Sequence, residues 1–118
     1  ITYPGHESYG QKELAAEMLK DYDGIPSFGY MVGFNFEGDL KTQEQAAIRY
    51  MDYIAQNGYA WNFMVSLGQV RSLTEVPAAM THYGSGLPMF ARNSLGTESI
   101  ADIIDESTAA FEFAYQGL

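Results

Sequence analysis

The chain has 118 residues, 47% of them hydrophobic and 14% aromatic, which suits one domain with an ordinary core and argues against disorder. With 15 acids against 6 bases and a net charge of -9, the composition argues against a nucleic-acid or anionic-membrane surface, since those need clustered Lys and Arg. There is no cysteine, hence no disulfide framework and no thiolate metal site, and no apolar stretch approaches the ~20 residues that span a bilayer. The opening "ITYPGHES" lacks an initiator Met and any signal peptide, so a processed or truncated piece of a longer protein is expected.

Ser8-Tyr9-Gly10-Gln11 has capping-box spacing, and Leu14, Ala15, Met18 and Leu19 then form an apolar stripe, so a first helix is predicted here. Asp23-Gly24 and Pro26 end it in a turn. The segment "FGYMVGFNF" (28–36) alternates, with Phe28, Tyr30, Val32, Phe34 and Phe36 on one face of a predicted strand. A second capping box, Thr42 to Gln45, opens a helix carrying Ala47, Tyr50, Met51 and Ile54, and Asn57-Gly58 reads as its left-handed stop. "AWNFMVSLG" (60–68) again has period two, which groups Trp61, Phe63, Val65 and Leu67 and turns Ser66 to the other face with Asn62 and Met64. In "PMFARNSLG" (88–96), Met89, Ala91 and Leu95 share one face, Phe90, Arg92 and Ser94 the other. A last helix begins near Thr97 or Ser99, with Ile100, Ile103, Ile104, Ser107 and Phe111 as its stripe. This order of elements predicts an α+β fold: a small, mostly antiparallel sheet with helices on one face.

Arg92 stands alone in an apolar, small-residue strand, where a guanidinium is costly unless paired. Its planar fork suits a carboxylate, at about 1.5–3 kcal/mol for a charge-assisted bond. A salt bridge to one of the chain's own acids satisfies that need as well as a ligand does, and the residue alone leaves both open. Ser66 ends a strand without a G-x-S-x-G elbow, and only His6 and His82 could act as its base, so a hydrolase triad is not indicated. His82 after an apolar stretch reads as structural. No two histidines or carboxylates have metal-ligand spacing, and Gly84-Ser85-Gly86 opens no phosphate-binding helix.

Taken as one block, "VSLGQVRSLTEVPAAMTH" (65–82) resembles the segment V-S-L-G-x-x-x-S-L-x-E-x-P-A-x-M-T-H of the cysteine/methionine-metabolism family of pyridoxal-phosphate (PLP) enzymes. That family includes cystathionine γ-synthases, cystathionine β- and γ-lyases, methionine γ-lyases and O-acetylhomoserine sulfhydrylases. "YPGHESYGQKELAAEML" resembles its Y-P-G-L-x-S-H-P-Q-H-E-L-A segment, and "ARNSLGTESIADIIDE" its R-L-S-V-G-x-E-D-x-x-D-L-I strand and helix. The resemblance runs from Tyr3 to about Ala114, and over 25–60 only in the pattern of strand then helix. Three departures stand out: Tyr9-Gly10 replaces His-Pro, Gln69 replaces a glycine, and only Tyr83 to Ala91 separate M-T-H from the arginine strand, where the family has a longer segment.

The resemblance implies the C-terminal domain of a fold-type-I PLP enzyme, acting at the β- or γ-carbon of cystathionine, methionine or an activated homoserine. By it, Arg92 falls on the arginine that binds the substrate α-carboxylate, a role that suits Arg better than Lys. Ser66 falls on a serine lining the active site, Thr81 on a threonine that helps hold the arginine, and Val65 on a position affecting side-chain preference. The Schiff-base lysine of the family lies in a large preceding domain, and Lys12, Lys20 and Lys41 have no matching context. The isolated chain is therefore expected to be catalytically inactive, and no cofactor-binding residue is expected within it. The parent is expected to be a cytoplasmic homotetramer. A free-standing binding or interaction module derived from the family is the alternative.

Overall fold

In the computed structural model, residues 1–64 and 69–118 are described, so Val65 and Ser66 lie outside the described residues. The alternating segments form strands β1 (Met31–Asn35), β2 (Trp61–Phe63) and β4 (Phe90–Ser94), and the helical stripes form α1 (Lys12–Met18), α2 (Leu40–Asn57) and α3 (Ile100–Tyr115). A further strand, β3 (Ser72–Glu75), lies inside the 65–82 block. Its four residues "SLTE" are all buried, so neither face carries the polar-out signal that marks a half-exposed strand. Among the described residues the sheet order is β1-β4-β3-β2. The β1–β4 and β3–β4 pairs are antiparallel and β2–β3 is parallel, which makes the expected sheet mixed, with its antiparallel pairs in the majority.

Helices α2 and α3 pack against each other and cover one face of this sheet. Phe34 from β1, with Phe36 just beyond it, meets Tyr50 of α2 and Phe111 of α3, in edge-on or tilted contacts of 5.0–5.7 Å between ring centroids. Such pairs add about 0.5–1.5 kcal/mol each beyond the area they bury. The Tyr50 hydroxyl bonds Thr74 of β3 at 3.1 Å. Burial pushes its pKa up to about 12, the Thr74 bond opposing and Glu106 reinforcing the shift, so the phenol stays protonated. By alternation, the neighbours Gly33, Glu75 and Arg92 face away from the helices.

The helix boundaries correct the sequence reading in three places. Thr42 does not cap α2: Asp39 does, its carboxylate accepting from Thr42 N at 2.8 Å, because an N-cap side chain must reach forward to an open N–H. Ser8 opens no capping box either. A 3-10 turn (Glu7–Tyr9) is capped by His6, and α1 starts at Lys12. Gly58 has φ -58°, not a left-handed conformation. A Cβ there would lie 2.5 Å from Ile54 O and 2.7 Å from Trp61 O, so close backbone approach is what demands glycine.

On α3, Ile100 and Ile104 are exposed, while Ile103, Glu106, Ala110 and Ala114 face inward. The stripe is rotated because a carboxylate takes a core position. Glu106 Oε2 accepts from the backbone N–H groups of Tyr59, Ala60 and Trp61 at 3.0, 2.6 and 3.2 Å. Ser107 beside it accepts from Trp61 Nε1 at 2.8 Å. Glu106→Ala is expected to lower stability by about 3 kcal/mol or more in urea denaturation, since it strands buried N–H donors. A loss under 1 kcal/mol would show that water replaces the carboxylate.

Candidate functional site

Arg92 lies in the middle of β4, opposite Gly33 on β1 and opposite Glu75 on β3. Its Nη2 forms an ion pair with Glu75 Oε1. The Arg92 side chain is 33% exposed and that of Glu75 1%. The guanidinium is therefore tethered at Nη2 while the Arg92 side chain stays partly exposed. Arg92 lines a cleft of about 460 Å³ together with Thr2, Tyr9, Met31, Gly33 and Phe90 among others, with no carboxylate among the described lining residues. Thr2 is bridged to Gly33 by backbone hydrogen bonds of 2.7 and 2.8 Å, and a Cβ on Gly33 would lie 3.2 Å from Thr2 Cβ, so glycine at this register position makes room for the Thr2 side chain. A partly desolvated cation at the edge of an apolar, acid-free cleft is suited to an anionic group. A second cavity of about 610 Å³ lies between β1 and α3, but Glu37 and Glu112 are among its lining residues, and they disfavour an anion.

The strand that carries Glu75 is fixed at its other end by a second carboxylate. Glu98 Oε2 accepts from Ser72 N at 2.9 Å and from Ser72 Oγ at 2.7 Å, and Ser72 Oγ accepts from Gly96 N at 2.8 Å. A Cβ on Gly96 would lie 2.3 Å from Val70 O, so this corner requires glycine. Thr97 adds two bonds to Val70 O, from N at 2.8 Å and from Oγ1 at 3.2 Å. Burial raises the Glu98 pKa, but the hydrogen bonds from Ser72, with help from Arg71, outweigh it and hold the group below its ordinary 4.5.

Of the residues singled out in the sequence, Arg92 lines the cleft. Thr81 is exposed and bonds His82 Nδ1 at 3.0 Å, so the structure does not bring it into a bond with Arg92. The held side of Arg92 belongs to Glu75. His82 donates its backbone N–H to Pro77 O at 2.8 Å and shapes the turn after β3. Val65 and Ser66 lie outside the described residues. The sequence reading missed Glu75. Its signal was present: one acid inside the apolar run "SLTEVPAAM", two residues from Leu73 and so on the same strand face.

No protein-family model matches the chain. A cystathionine gamma-synthase of Mycobacterium tuberculosis is 32% identical over 112 residues, which cover 90% of this chain and 25% of that protein. A cystathionine beta-lyase of Lactococcus lactis subsp. lactis is 30% identical over 123 residues, covering 95% of this chain and 28% of the relative. Among solved structures, the cystathionine gamma synthase from Xanthomonas oryzae pv. oryzae in complex with cystathionine superposes with a TM-score of 0.74 at 27% identity, over 98% of this chain and 29% of that one. In sequence and fold the chain is thus similar to the C-terminal domain of the cysteine/methionine-metabolism family of PLP enzymes. It spans about a quarter of the length of the curated relatives it matches.

Within that family the cofactor is held as a lysine Schiff base, and this chain has no lysine placed for it. Lys12 and Lys20 are ion-paired with Glu7 and Glu17 near α1, and Lys41 is exposed in the first turn of α2. None of them lines the Arg92 cleft. The described residues thus do not fit PLP.

The Glu98 corner makes a pH prediction. A carboxylate whose folded pKa lies below its unfolded value stabilises the fold above the unfolded 4.5, and that contribution is lost as pH falls through the lower folded value. Glu98→Gln is therefore expected to flatten the loss of stability on acidification below pH 4.5, read as urea midpoints across a pH series. An unchanged acid limb would remove Glu98 from the account.

Proposed function

We propose that this chain is the substrate-binding C-terminal domain of a PLP-dependent enzyme of sulfur amino-acid metabolism, with Arg92 receiving the α-carboxylate of the amino-acid substrate. One observation supports the reading above the others: Arg92, held by Glu75 and still partly exposed, lines an apolar cleft with no acid among its described lining residues. A carboxylate entering there meets a cation already partly desolvated. Holding that carboxylate fixes the rest of the amino acid in one orientation, and the reacting bonds then need no further search. PLP, held by a large domain outside this chain, supplies the electron sink for β- or γ-chemistry. By the same resemblance Ser66 is read as lining the active site of the parent, Val65 as affecting side-chain preference, and Thr81 as helping to hold Arg92 there. The parent works as a cytoplasmic homotetramer. Alone, the 118-residue chain is catalytically inactive.

In the assembled enzyme Arg92→Ala is expected to raise KM for amino-acid substrates about 10- to 100-fold, the loss of one charge-assisted carboxylate contact, while the absorbance of the bound cofactor is retained. Unchanged KM would overturn the role of Arg92. Mixing the isolated chain with PLP and substrate is expected to give no turnover above that of PLP and substrate alone. Turnover above that background would show that catalysis does not need a further domain.

A further inference from the structure

Three buried or partly buried carboxylates sit in this fold, and they are used differently. Glu106 and Glu98 both accept backbone N–H groups and so hold chain segments together. Glu75 accepts no backbone bond among the described residues. Its Oε1 meets Arg92 Nη2, and its Oε2 is buried without a hydrogen-bond partner among the described residues. Arg92 Nε is buried and without such a partner as well. As a stabilising device this pair is poor. Taking both charges from water carries a desolvation penalty that apolar side chains of the same volume would avoid. Placing them directly opposite each other on neighbouring strands does one other thing. It stops the long Arg92 side chain from reaching out to solvent, as an arginine on a sheet face otherwise does. The guanidinium has five N–H donors in a rigid fork, so a contact on the inner edge sets the direction of the outer edge.

We propose that Glu75 is a positioning residue, a buried counter-ion whose carboxylate fixes the Arg92 guanidinium so that its outward N–H groups meet a ligand carboxylate in the cleft. The inference rests on the proposed carboxylate-binding role of Arg92. Glu75 touches no ligand itself. It also neutralises Arg92 in the empty site, so the cleft discriminates by the geometry of the fork and not by a bare positive charge.

The experiment uses the assembled enzyme and two competitive probes, norvaline and butylamine, which differ only by the carboxylate. Glu75→Ala is expected to weaken inhibition by norvaline roughly tenfold or more, the scale of a misplaced binding group, with inhibition by butylamine unchanged. Glu75→Gln keeps the shape and one acceptor oxygen, and is expected to restore norvaline binding to within about threefold of the parent, because position outweighs charge here. In an Arg92→Ala background, Glu75→Ala is expected to have no further effect on norvaline, as for two residues acting through one contact. The inference is overturned if Arg92→Ala weakens norvaline while Glu75→Ala does not, if both probes weaken equally, or if the two substitutions add. If Arg92→Ala itself leaves norvaline unaffected, the carboxylate-binding reading falls first and takes this one with it. Glu75→Gln also covers the case in which the alanine variant does not fold.

Discussion

A single carboxylate in the core, that of Glu106, ties the layers of this domain together. It sits on α3 and accepts three consecutive backbone N–H groups from the turn between α2 and β2. The Ala60 and Trp61 donors would otherwise be buried without that partner, a cost of about 1–3 kcal/mol each. The bond therefore closes the corner where a helix becomes a strand and holds the second helix against that corner. Gly58 is part of the same constraint, since a side chain there would collide with Ile54 O and Trp61 O and crowd Glu106 Oε1.

With both long helices committed to one face, the sheet presents its other face to whatever the domain meets. The aromatic side chains of Phe34, Phe36, Tyr50 and Phe111 occupy the helix side, and alternation then places Gly33, Glu75 and Arg92 opposite. Geometry, not propensity, puts the cation on the face away from the helices. The register across three strands, Gly33 to Arg92 to Glu75, gives Arg92 a glycine neighbour on one side and a buried counter-ion on the other.

Around that face the charged groups are divided between local pairs and the cross-strand pair of Arg92 with Glu75. The basic groups near α1 are consumed by local ion pairs, Lys12 with Glu7 and Lys20 with Glu17. Such exposed pairs contribute at most about 1 kcal/mol and leave no amine directed at the cleft. Relatives four times as long carry the rest of the chemistry in their names, as synthases and lyases of cystathionine and methionine. The Glu98–Ser72–Gly96 corner meanwhile fixes the start of β3, and with it the position of Glu75.

The sequence by itself determined the layers, because periodicity is a local property. Period two in 28–36, 60–68 and 88–96 marked the cores of β1, β2 and β4, and helical spacing marked α2 down to its buried Ala47, Tyr50 and Ile54. It also isolated Arg92, since an unaccompanied guanidinium in an apolar strand stands out in any context. Tertiary structure decided the rest. β3 has too few residues and too little exposure for a pattern, and exists because two neighbours supply its hydrogen bonds. The inward face of α3 was misjudged because Glu106 is polar in sequence yet buried by donors forty-five residues and more away. The partner of Arg92 was likewise one acid among fifteen until strand register placed Glu75 directly across from it. A side chain's partners across a sheet are set by the pairing of whole strands, and no local window of sequence contains that pairing.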